Sequence, residues 1–432
     1  MFRNRYAQRR HALGLRIGEG CIALIPGNTT RLRNRDVEYP FKQDSDFFYL
    51  TGWQEHDALL LIKGGEKPCS ILFYQKNNKS TELFAGKSIG PKAAVRIFGF
   101  DEAYGLTSAD LLYKKVRSIT DHAQVVACTS AHTGPFASAV QGLERNGRGH
   151  DIKYLIGEMR LIKDAHEIDI MRRACTVSGA AHRDILFLVK PGMYEYEVEA
   201  ELSRAFRRAG GDPLHAYPSI VASGKNACTL HYTRNSAQLK DGELLLIDAG
   251  CELEGYASDI TRTFPVSGLW NKPQRTLYEI VLRAQTEAIK CAKVGISVGY
   301  LDEVARKFIA EGLLRVGLIT AKDPDDAVLR DLDRRFFPHG TSHWLGLDVH
   351  DVGDYAWNKE TARAERFLSE GMILTVEPGL YVREAKGAKE YKDIGIRIED
   401  DILITRSGPV TLSHLAPKDP DEIESMMQCG ML

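Results

Sequence analysis

The sequence predicts an α+β fold in two parts, a smaller α/β amino-terminal domain over residues 1–155 and a larger α+β domain over 156–432. Three observations carry this. Short apolar runs alternate with helical stretches in the first third. Four amphipathic helices, interleaved with hairpin-like strands, fill the remainder. Between them lies a polar, glycine-rich stretch, Arg145-Asn146-Gly147-Arg148-Gly149-His150, which reads as a boundary. At 432 residues and 44% hydrophobic, the chain can bury a large core and is too long for one typical domain.

In the first third, Cys21–Gly27, Ala58–Gly65 and Ser70–Tyr74 are strand-like, and the stretch from Ser108 to Ile119 is helical. After the boundary, Asp164 followed by Glu167 is a helix-start signature. Ile168, Met171, Cys175 and Leu186 continue on helical spacing, and Lys190-Pro191-Gly192 stops the run. A second helix runs from Glu195 to Ala209 and ends at Gly210-Gly211. A third opens with Pro273 in its first turn and reaches Ala292, and a fourth covers Leu301 to Val316.

Bulk properties exclude several function classes. A formal net charge of −1 argues against a nucleic-acid binder or a polybasic membrane surface. Arg3, Arg5, Arg9 and Arg10 crowd the start, but Arg16 and Glu19 interrupt any apolar run after them. An ordinary amino-terminal helix is therefore expected, not a targeting segment. No window approaches the ~18 apolar residues of a membrane span. The eight cysteines are scattered without a C-x-x-C pair, as expected of reduced, mostly buried thiols in a cytoplasmic protein. Cys251, close to Asp248, is read as strand packing.

Asp248, Asp259, His343, Glu377 and Glu399 each sit in a short, apolar, strand-like segment, where a charged group has no packing reason to be. A two-residue turn at Glu254-Gly255 would make 244–265 an antiparallel hairpin. It would place Asp248 and Asp259 on one face, directly opposite or one diagonal apart. The bland alternative is two surface acids flanking a turn, but Ile247 and Ile260 bracket them with core residues. Glu377 and Glu399 repeat the theme around a lysine-rich excursion from Arg383 to Asp393, the competing reading being a buried salt bridge with Arg397. His339 and His343 share a face in either an extended or a helical segment. His350 joins them only if the chain bends, which Gly346 permits.

Gathered in one pocket, each like-charged pair would cost on the order of 4 kcal/mol at ~4 Å and an effective dielectric of ~20. Divalent cations could offset all four acids. Oxygen ligands with one imidazole and no cysteine suit two hard or borderline ions such as manganese. The residues thus read as a two-metal hydrolase. A C-x-x-C zinc motif, an H-E-x-x-H helix, a P-loop and a G-x-S-x-G elbow are absent from the sequence.

Longer blocks carry a resemblance: Leu230–Thr233, Leu246–Cys251, Gly255–Val266, His339–Asp351, Thr375–Tyr381, Gly395–Asp401 and, in the first third, Tyr39–Gly52. Over nearly the whole chain the sequence resembles the pita-bread metallopeptidase family, in its aminopeptidase P branch. The resemblance implies a pita-bread catalytic domain behind an accessory domain. It also implies release of the first residue from peptides with proline second, by metal-bridged hydroxide attack. Asp259 and Glu399 would bridge two divalent ions, Asp248 completing one and His343 with Glu377 the other. Mn2+ is the expected metal, with Zn2+ or Co2+ as substitutes in vitro. His231, His339 and His350 would contact substrate or stabilise the reacting carbonyl, Arg397 and Tyr381 would support ligands and substrate, and Glu377 would shuttle a proton. A homo-oligomer, tetramer or dimer, is implied too, without nucleic-acid or membrane partners. The rivals are an Xaa-Pro dipeptidase (prolidase), a creatinase-like amidinohydrolase and, more remotely, a non-catalytic binding protein on the same fold.

Overall fold

In the computed structural model, residues 2–120, 125–128, 149–355, 365–384 and 388–431 are described. The chain forms two units, residues 1–160 and 161–432. The division expected at 155/156 falls inside a helix, Lys153–Leu161. Of the glycine-rich stretch expected at the boundary, residues 145–148 lie outside the described residues. Gly149 and His150 are not linker: they belong to an edge strand, Gly149–Asp151, of the first unit's sheet.

That sheet has six strands, in the order Glu102–Leu106, Cys69–Gln75, Ala58–Lys63, Cys21–Pro26, Val125–Cys128 and Gly149–Asp151. Its central strands pair antiparallel and its outer ones parallel. The three strands read from sequence are its apolar centre, where Leu24, Leu59, Leu61 and Phe73 are fully buried. The amino-terminal helix Phe2–Ile17 forms as expected. One of its arginines is structural: buried Arg10 donates to the carbonyls of Leu50, Phe98 and Gly99 and lies over the Phe100 ring.

The second unit combines the four expected helices with two long antiparallel ribbons. Ala165–Ile185 begins in a capping box in which Asp164 accepts from the Glu167 N–H and Glu167 accepts in return, worth ~1 kcal/mol. Glu195–Arg208 and Lys272–Cys291 follow, the latter capped by Asn271. The fourth helix, Val298–Arg315, starts three residues earlier than expected, because the Ser297 hydroxyl caps the Tyr300 N–H. These helices bury Phe206, Leu277, Tyr278, Ala284 and Leu313 against Leu245, Ile247, Phe264, Ile396 and Ile398 of the ribbons. Each of the leucine, isoleucine and phenylalanine side chains among them contributes ~1.5–3 kcal/mol.

The first ribbon runs from Leu244↔Pro265 to Leu253↔Tyr256 in one unbroken register. Its turn is the expected Glu254-Gly255, with φ of 51° and 84°. Two successive positive values make a type I′ turn, whose twist matches that of the flanking strands. The second ribbon runs from Ile373↔Leu403 through Val376↔Asp400 to Val382↔Ile394, again in one register. The two ribbons meet edge to edge at Thr261 and Glu399. Residues 385–387 of the Arg383–Asp393 excursion lie outside the described residues.

Candidate metal centre

Strand alternation decides what faces the site. Along Leu244–Asp248, Leu245 and Ile247 enter the helix-covered core, while Leu246 and Asp248 point the other way. Asp259, Thr261 and Thr263 share one face of the partner limb. In the second ribbon Arg397 and Glu399 alternate with core residues Ile396 and Ile398. In this register Asp259 sits one diagonal from Asp248, while Glu377 and Glu399 are directly opposite.

The placement of the ligand candidates differs from the sequence reading in one respect. Only Asp248 lies within a continuous strand. Asp259, Glu377 and Glu399 occupy or flank short interruptions of the ladder, and His343 lies in irregular chain. That chain is tied to the strand Ile373–Val376 by the bonds Thr375 N–H to His343 O (2.9 Å) and Glu377 N–H to Thr341 O (2.8 Å). Gly250, across the ladder from Asp259, has to be glycine: an added Cβ would lie 1.7 Å from the Ser258 carbonyl oxygen.

All five candidates line one cavity of about 640 Å³, with His231, His339, His350 and Arg397. This volume lies within the usual range for small-molecule sites. The open question about His350 is answered by a bend. The 343 and 350 rings meet edge to face at 4.4 Å. Gly346 permits the close packing, since a Cβ there would lie 2.1 Å from Asp351 Oδ2. Tyr381 is absent from the lining set and acts one layer back. Arg397 Nη1 donates to Tyr381 Oη (2.9 Å), and Tyr381 Oη donates to His339 Nε2 (2.8 Å). His339 Nδ1 donates in turn to the Gly340 carbonyl. Burial and the Arg397 charge outweigh the Gly340 bond and lower the His339 pKa to about 4, so the ring is neutral and Nε2 accepts from Tyr381.

The donor set fits cations. His343 Nδ1 is held by the Trp344 carbonyl at 3.0 Å, and a carbonyl can only accept, so Nδ1 carries the proton. Nε2 is left aimed at carboxylate oxygens of Asp259 (3.4 Å), Glu377 (3.4 Å) and Glu399 (3.9 Å). Ligand atoms of Asp259, His343 and Glu399 all lie within 4.8 Å of one another. Counting protein groups alone, burial and neighbouring acids push Glu377 up to about 7 and Glu399 well above the ordinary carboxylate range. Burial also raises Asp248, against the pull of Arg397 at 2.5 Å. Among these groups, four carboxylates face one guanidinium, and divalent ions would balance the remaining charge.

Two supporting residues escaped the sequence reading. Half-buried Tyr217 sets its hydroxyl 2.6 Å from both Asp248 Oδ1 and Asp259 Oδ1, and its one proton can serve either carboxylate. Thr261 Oγ1 donates to Glu399 Oε2 at 2.6 Å and accepts from Arg397 Nε at 3.2 Å. Thr261 could have been found, since it shares the Asp259 face two positions on. Tyr217 lies in a loop without periodicity, and nothing local marks it.

The model of metallopeptidase family M24 matches residues 169–406, and that of the aminopeptidase P N-terminal domain matches residues 6–125. The chain belongs to metallopeptidase family M24. Among curated M24 relatives, an Xaa-Pro aminopeptidase of Escherichia coli K12 is 38% identical, with 98% of each chain covered. Human Xaa-Pro aminopeptidase 3 is 34% identical over 98% of this chain and 85% of the relative. Among solved structures, proline aminopeptidase P II from Yersinia pestis superposes with a TM-score of 0.92 at 38% identity, covering 99% of this chain and all of that one. E. coli aminopeptidase P with the inhibitor Pro-Leu gives the same TM-score at 36% identity, covering 100% of this chain and 99% of that one. The M24 unit therefore has the pita-bread architecture and follows an aminopeptidase P type amino-terminal domain in the chain.

Proposed function

We propose that this M24 hydrolase is an Xaa-Pro aminopeptidase, releasing the first residue of peptides whose second residue is proline. The observation that carries the reading is the largely buried cluster of four carboxylates and one imidazole lining a cavity large enough for a short peptide. The full-length likeness to proteins named Xaa-Pro aminopeptidase supports it. Asp248, Asp259, His343, Glu377 and Glu399 would hold two divalent ions. Manganese is the best match to oxygen donors with one imidazole and no thiolate. When bound, such ions supply positive charge that polarises a carbonyl and acidifies water.

The other roles fall to the chain's own side chains. His231 and His350 face the cavity and can donate to a carbonyl oxygen as negative charge develops on it. Arg397 orients Asp248, and Tyr381 orients His339. Glu377 would pass a proton to the leaving imide nitrogen. Pro218, Ile220, Leu230, Val349 and Tyr355 form apolar wall that suits a proline ring. A proline has no N–H to be gripped, so shape must replace that hydrogen bond.

Turnover of Ala-Pro-Ala, Ala-Ala-Ala and Ala-Pro in one manganese buffer tests the proposal. Cleavage of the first bond of Ala-Pro-Ala is expected, with Ala-Ala-Ala poorly cleaved and Ala-Pro slower. A strong preference for the dipeptide, without tripeptide cleavage, would place the chain with the prolidases instead. Retention of all five ligand candidates in one cluster weighs against the creatinase-like and non-catalytic readings.

A homotetramer built from dimers is the proposed assembly, on family likeness. Light scattering should return about four times the 48.2 kDa chain mass. The bare chain mass across a wide concentration range would overturn it. A cytoplasmic setting is proposed from the free thiols of Cys21, Cys69, Cys175, Cys228, Cys251, Cys291 and Cys429. Recovery from a secreted fraction would contradict it. Among the described residues, no helix is long and apolar enough to cross a membrane.

A further inference from the structure

Glu195 is the first residue of the helix Glu195–Arg208, and its side chain is fully buried. Its carboxylate accepts five hydrogen bonds, all from one stretch of chain, residues 223–237. Oε1 takes the Ser223 N–H (2.8 Å), the Ser223 hydroxyl (2.8 Å) and Asn226 Nδ2 (3.0 Å). Oε2 takes the Tyr232 hydroxyl (2.8 Å) and the Ala237 N–H (2.8 Å). Asn226 Nδ2 also reaches Tyr232 Oη at 3.1 Å, closing the network. So many donors can compensate a buried carboxylate.

The stretch so gathered is the one that brings Leu230, His231 and Thr233 to the cavity. It leaves the sheet after the strand Ile220–Ser223, turns through Gly224–Cys228, and returns past Asn235. Asn235 pins the returning limb to Val221 N–H and the Ser219 carbonyl, and Arg383 Nε holds the outgoing limb at the Cys228 carbonyl (2.9 Å), so Glu195 is the anchor nearest His231, through Tyr232. His231 is itself exposed, and its imidazole has no hydrogen-bond partner among the described residues. Its place at the cavity is therefore set by its neighbours, and the adjacent Tyr232 is anchored by Glu195.

We infer that Glu195 is a positioning residue for the reaction: it holds the 223–237 loop so that His231 meets the substrate. The inference rests on the proposed role of His231. Replacing Glu195 by Gln is a stringent change. An amide keeps an acceptor for one set of donors and turns its NH2 toward the other. With the amide nitrogen in place of Oε2, Tyr232 could reorient to accept, but the Ala237 N–H could not.

The test is a double-mutant cycle on Ala-Pro-Ala hydrolysis in manganese, using Glu195→Gln, His231→Ala and the double variant, with bound metal measured in each. Glu195→Gln should lower kcat/KM about tenfold with metal content unchanged, and cost less than about twofold once His231 is alanine. A merely structural role would predict the same loss in both backgrounds, and that result overturns the inference while leaving the His231 role standing. If His231→Ala alone has no effect on kcat/KM, the role of His231 and the inference fall together. Tyr232→Phe, which deletes one hydroxyl, runs as a parallel cycle and decides the matter should Glu195→Gln not fold. A loss of about threefold that vanishes with His231→Ala is expected there, and an additive loss overturns the inference.

Discussion

Asp259→Asn or Glu399→Gln should each release at least one divalent ion and cut kcat by more than the ~10–100-fold that loss of a partner supporting a metal ligand typically costs. The reason is the donor count. Both residues lie among the carboxylates facing His343 Nε2, and a neutral amide offers one weak oxygen where a carboxylate offers two charged ones. The fold should survive, because removing one charge relieves repulsion within a cluster whose burial already raises Glu399 and Glu377. Metal content, circular dichroism and kcat on one preparation check this. Two bound ions with near-normal turnover in both variants would contradict the ligand assignment.

Asp400→Ala should cause the largest loss of stability. Asp400 is fully buried beside Glu399, on the opposite face of the strand. It accepts from Arg262 Nη2 (2.6 Å), Ser413 Oγ (2.6 Å), Gln285 Nε2 (2.8 Å) and Lys418 Nζ (2.5 Å). Burial alone would raise its pKa, but Arg262 and Lys418 outweigh burial and hold it far below the ordinary carboxylate value. Removing the carboxylate strands the buried Arg262 guanidinium, at a cost of ~3–5 kcal/mol. That is a large share of the ~5–15 kcal/mol by which a folded domain is stable. Arg262 also donates to the Glu399 carbonyl at 2.6 Å, so the loss should loosen the meeting of the two ribbons. Urea unfolding read by far-UV circular dichroism checks the value, and a change below ~1 kcal/mol would show that this network is not what stabilises the junction.

Much of this was legible in the sequence because strand alternation is a strict period. Once Glu254-Gly255 is taken as the turn, the shared face of Asp248 and Asp259 follows, and the register bears it out. The helix starts were legible at Asp164 and Pro273 for a different reason, since caps and first-turn residues act within one turn. The fourth start was missed because Ser297 caps without an acidic partner three residues on. Contacts between distant segments were not legible. The bend that brings His350 to His343, the reach of Tyr217 and the Arg262–Asp400 pair depend on tertiary packing, which leaves no periodic trace. The strands Glu102–Leu106, Val125–Cys128 and Gly149–Asp151 were missed because they are short and join the sheet through distant partners.

A metal titration reads the two-ion site most directly. The protein is stripped with chelator, manganese is returned in steps, and release of alanine from Ala-Pro-Ala is measured with bound manganese at each step. The stripped chain should release no alanine, with activity returning as the site fills toward two ions per chain. Full turnover from a preparation containing no bound divalent ion would contradict a metal-dependent peptidase built on Asp248, Asp259, His343, Glu377 and Glu399.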